Sequence, residues 1–112
     1  MIQKFIAYLH ETFIVKPCTY EIHENVEHVH SMYVDVDNDV NLGRVTLWDD
    51  GSCVMEILDI ETEQCLLFKR YEFASFEELV KKFDYFYSVL SQTVIHEKPN
   101  EITNKQPNAK NN

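Results

Sequence analysis

At 112 residues the chain has room for one domain with one core, and not for two. A hydrophobic share of 45%, with 7 Phe, 6 Tyr and 1 Trp, excludes a chain that is disordered from end to end. Nineteen acids against ten bases leave a net charge of −9. That balance disfavours nucleic acid and anionic membranes as partners and favours a basic protein.

The N-terminal stretch places Ile2, Phe5, Ile6, Leu9 and Phe13 at helical spacing, with Lys4, His10 and Glu11 on the wet side. Pro17 ends that pattern, because it lacks a donor and restrains Lys16 to extended geometry. Five strand-like stretches follow: Cys18–Glu24, His30–Asp37, Leu42–Trp48, Cys53–Ile60 and Gln64–Phe73. In the second, Met32, Val34 and Val36 alternate with Tyr33, Asp35 and Asp37; in the third, Val45 and Leu47 alternate with Arg44, Thr46 and Trp48. Asn38 between two aspartates and Asp50-Gly51 read as tight turns, and 60–64 as a short polar loop. Connections this short allow only antiparallel neighbours.

Ser75 and Glu78 form a capping box ahead of a helix on which Phe76, Leu79, Val80, Phe83, Tyr87 and Leu90 recur at helical spacing. The predicted class is therefore α+β: an N-terminal helix, a five-stranded antiparallel meander and a C-terminal helix packed on the sheet. Residues 1–96 are read as one domain and 97–112 as a disordered polar tail, too poor in apolar residues to offset its ordering entropy.

Cys18, Cys53 and Cys65 lack CxxC spacing, and the N-terminus lacks an uninterrupted apolar leader segment. Both features predict reduced thiols and a cytoplasmic location. No run approaches the roughly 18 apolar residues of a membrane span. His23, His28 and His30 stand near Glu24 and Glu27, but the helical zincin pattern needs histidine where Glu27 stands. A strand could still present His28 and His30 on one face; surface histidines in a polar loop are the commoner case. Asp35, Asp37 and Asp39 resemble the start of a calcium loop, yet Val40 replaces its glycine and Thr46 its final glutamate. Only Gly43 and Gly51 are glycines, too few for a phosphate-cradling loop, and no local nucleophile signature is present. Neither enzyme chemistry nor a cofactor or metal is predicted.

The acids are concentrated. Between Pro17 and Phe68 lie Glu21, Glu24, Glu27, Asp35, Asp37, Asp39, Asp49, Asp50, Glu56, Asp59, Glu61 and Glu63, against Arg44 alone. The negative field therefore belongs to the sheet and favours encounter with a basic partner. Trp48 is either an outward anchor or packed beneath a helix.

The stretch Gly43-Arg44-Val45-Thr46-Leu47-Trp48-Asp49-Asp50-Gly51, followed by Glu56-Ile57-Leu58-Asp59 and the strand Phe68–Phe73, resembles the TriTu family of bacterial immunity proteins. That family has an (A/G)R-x-T-x-W-x-x-G hairpin before an acidic strand, another strand and a C-terminal helix. The similarity spans roughly residues 1–92. It implies a cytoplasmic protein that neutralises a cognate polymorphic toxin domain, of the contact-dependent, Rhs or type VI class, by stoichiometric binding. The residues from which contacts are expected are Asp35, Asp37, Asp39, Asp49, Asp50, Glu56, Asp59, Glu61 and Glu63, with Tyr33 and Trp48 as anchors. The competing readings are an acidic adaptor or regulatory subunit for another basic protein, and a small metal-binding protein or enzyme.

Overall fold

A computed structural model describes residues 1–16 and 18–92, so the polar tail expected from residue 97 lies outside the described residues. The elements run α1 (Ile2–Val15), β1 (Thr19–Asn25), β2 (Ser31–Asp37), β3 (Asn41–Trp48), β4 (Ser52–Asp59), β5 (Cys65–Glu72) and α2 (Phe76–Leu90). The strands pair in chain order, all antiparallel, as the short connections require. The expected α+β meander with two flanking helices is thus the fold formed.

Each hairpin is closed by an Asn or Asp side chain that accepts the backbone N–H two residues on. Asn25 does this for Glu27, Asp37 for Asp39, Asn38 for Val40, Asp50 for Ser52, and Asp59 for Glu61. The same turns hold His28, Asp39, Gly51 and Glu63 at positive φ. Gly51, at φ 88°, follows a turn in which its own N–H donates to the Trp48 carbonyl (3.2 Å), the left-handed step that a three-residue hairpin loop needs.

Both helices lie against one sheet face. Met32, Val34, Val36, Val45, Leu47, Cys53, Met55 and Ile57 point into the core that α1 and α2 close with Phe5, Leu9, Phe13, Leu79, Phe83 and Leu90. The Phe83 ring meets Phe5 edge-on at 5.6 Å and stacks on Phe86 at 5.5 Å, which joins the helices. Ser75 caps α2 by accepting the Glu78 N–H (3.2 Å), and the Glu78 carboxylate accepts from the Ala74 N–H (2.9 Å). The reach-back thus lands one residue earlier than in the standard capping box. At the far end the Asn38 and Asn41 side-chain amides donate to the Leu90 carbonyl at 2.7 and 2.8 Å, supplying partners that a helix C-terminus lacks.

Helical spacing placed Val80 and Tyr87 in the stripe, but both are half-buried, whereas Phe86 and Val89 are buried. The cause lies in β3. A Cβ on Gly43 would stand 2.7 Å from the Phe86 ring and 3.0 Å from a Leu90 methyl, so the glycine makes the seat for that ring. Gly43→Ala should therefore destabilise by about 1–3 kcal/mol through overpacking. In a thermal melt this lowers Tm by roughly 4–8 °C per kcal/mol; an unchanged Tm would show that the seat has room to spare.

The open face of the sheet as candidate functional site

Strand alternation sends every second residue away from the helices. One cross-strand row of that open face reads Glu21, Asp35, Arg44, Glu56, Phe68. The row on one side is His23, Tyr33, Thr46, Val54, Arg70, and the row on the other brings Thr19, Asp37, Leu42 and Leu58 together. Large apolar side chains are left in solvent here: Leu42 is 45% exposed, Leu58 43% and Phe68 68%. An exposed apolar group rimmed by charge is the usual composition of a protein-docking surface.

Arg44 organises the middle. Its Nε donates to Asp35 Oδ1 (2.6 Å) and its Nη2 to Asp35 Oδ2 (3.1 Å), a two-pronged pair in which the carboxylate raises the guanidinium pKa further. The guanidinium sits 4.2 Å from the Tyr33 ring centroid, and Tyr33 stacks on the His23 ring at 4.7 Å. Partly solvated pairs of this kind add little to stability, so their effect is to hold the side chains of the face in place. Between β2, β3 and β4 lies a depression of about 210 Å³, lined by Asp35, Leu42, Gly43, Arg44, Glu56 and Leu58.

The residues expected to bind fall into three places. Tyr33, Asp35 and Glu56 share the open face, and Trp48 lies half-buried on the same side, bordering a second depression with Asp50, Ser52 and Arg70. Its position excludes packing beneath a helix, since it points away from both helices. Asp37, Asp39, Glu61 and Glu63 gather at the end of the sheet where the β2–β3 and β4–β5 turns meet, joined by the Ile60 N–H on the Val40 carbonyl (2.9 Å). Asp49 and Asp50 stand at the opposite end; the Ser52 hydroxyl and N–H hold the Asp50 carboxyl below its usual pKa.

Asp59 departs from the expectation of a surface contact. It is only 3% exposed, and its Oδ1 accepts from the N–H groups of Glu61 and Thr62, so it builds the turn. The histidines are also dispersed. His23 lies on the open face, His28 is in the β1–β2 turn outside any strand, and His30 pairs with Glu24 at 2.6 Å. No group of three or more potential metal ligands converges among the described residues. Burial pushes the Cys53 thiol up to about 12, which keeps it protonated in the core. No helix among the described residues is long and apolar enough to cross a membrane.

Alternation alone could have revealed the apolar part of the face, since Leu42 shares its parity with Arg44, and Leu58 with Glu56. No match is found among curated proteins. The family model of the TriTu immunity protein matches residues 3–89, from the first turn of α1 to the last turn of α2. The chain belongs to the TriTu immunity protein family. An immunity role is therefore the frame in which the open face is to be understood. The motif Gly43-Arg44-x-Thr46-x-Trp48-x-x-Gly51 divides within it: Gly43 seats Phe86 and Gly51 turns the hairpin, while Arg44, Thr46 and Trp48 face outward.

Proposed function

We propose that this TriTu immunity protein acts in the cytoplasm by binding a cognate, basic polymorphic toxin domain through the open face of its sheet, one molecule to one, without chemistry. The observation behind this is the one-sidedness of the fold: both helices close one face, and the other leaves Leu42, Leu58 and Phe68 in solvent among acids. Neighbouring apolar side chains exposed among charges are what a protein-docking surface presents. The sheet's excess negative charge would speed encounter with a basic domain, and the apolar side chains would supply the lasting contact.

The test uses a polymorphic toxin domain sought among the genes adjacent to this one. Titrating the full chain into that domain should extinguish its activity at equimolar ratio, with a 1:1 complex in size-exclusion chromatography. Extinction by a small fraction of an equivalent would mean catalytic turnover of the toxin and overturn the binding mechanism. Absence of a complex would overturn the assignment of this partner.

A further inference from the structure

Resting on the reading of the open face as the toxin-docking surface, we infer that the depression between β2, β3 and β4 receives one lysine or arginine side chain of the toxin domain. Its aliphatic stem lies along Leu42 and Leu58, and its charged head meets the carboxylates of Glu56 and Asp35.

The depression is amphipathic in register. Leu42 pairs with Leu58 across β3 and β4, and two residues along the strands Arg44 pairs with Glu56. Steps of two residues on a strand separate an apolar from a charged row by roughly 7 Å. A basic side chain has the same division, an apolar stem ending in a cation.

Charge narrows the occupant further. Arg44 already gives two hydrogen bonds to Asp35. Glu56, on its other side, makes no hydrogen bond or ion pair among the described residues; its influence on Arg44 is through space alone. Asp35 and Glu56, with Glu21 and Asp37 nearby, therefore outweigh the single guanidinium. An anionic side chain entering here would meet uncompensated carboxylates. A neutral apolar one would strip water from Glu56 and leave it unpaired, at a cost in affinity. Only a cation with an apolar stem satisfies both rows.

The experiment compares the full chain with its Glu56→Gln variant for affinity to that toxin domain, after thermal melts confirm equal folding. Loss of one partner of a desolvated charge pair should weaken binding by at least about 30-fold. Replacing each toxin Lys and Arg in turn should then reveal one whose effect is not additive with Glu56→Gln. Wild-type affinity of Glu56→Gln, or additivity at every toxin base, overturns the anchor. A second variant, Thr46→Lys with Phe68→Lys, separates the two readings, since neither residue lines the depression. If it loses binding while Glu56→Gln keeps it, the face stands and the anchor falls. If both bind as the wild type does, the open face is not the interface at all.

Discussion

Phe83→Ala is expected to cost about 3–5 kcal/mol of folding free energy, the range for removing a buried aromatic ring. Phe83 contacts aromatic partners on both helices: Phe5, Tyr8 and Phe13 from α1, and Phe86 and Tyr87 from α2. Without it, α1 loses its central ring contacts to α2 and keeps Tyr8 against Phe76, Phe13 against Tyr87 and the Tyr8 hydroxyl donating to Asp84 (3.2 Å). Domains of this size are stable by only about 5–15 kcal/mol, so the variant should unfold at much lower urea concentration. Tyr85 offers a control on the same helix. Its side chain is 55% exposed, and Tyr85→Ala should change stability by no more than about 0.5 kcal/mol. Equal urea midpoints for the two variants would show that Phe83 is not the keystone of the helix pair.

The second large effect concerns the open face. Thr46→Lys combined with Phe68→Lys should weaken toxin binding by about 100-fold or more and remove protection in cells that co-express the toxin. Two causes act in one direction. Phe68 is the most exposed aromatic ring of the sheet, so its loss removes contact area without opening a cavity. Two added cations on the face, one on the central strand and one on the edge strand β5, also repel a basic partner. The stability cost should stay within about 1 kcal/mol, since both side chains point away from the core. Retained protection at normal expression would place the binding surface elsewhere.

The sequence made the fold legible where burial is one-sided. In β2 and β3 the alternation of Met32, Val34, Val36, Val45 and Leu47 follows directly from helices covering one face. Helix α2 was legible as an element but not in its exact rotation. Phe86 is buried because a glycine three elements earlier makes room for it, and no local periodicity contains that information. The site was half legible. The acids of the sheet could be counted, but their separation into face, near end and far end depends on which turns meet in space. Asp59 looked like any other acid of the series, and only its bonds to the next turn's N–H groups make it structural.

The one-sidedness of the sheet also bears on how such a protein can change over time. Residues that hold the fold and residues of the open face occupy alternate positions of the same strands, so they can be altered separately. A substitution at Glu56, Leu58 or Phe68 leaves Met55, Ile57 and Leu67 undisturbed. Under the proposed docking role, new specificity for an altered toxin is thus open to single, stability-neutral steps. The exceptions are the turn-forming Asp50, Asp59 and Asn38, where drift would loosen the scaffold before it changed the partner.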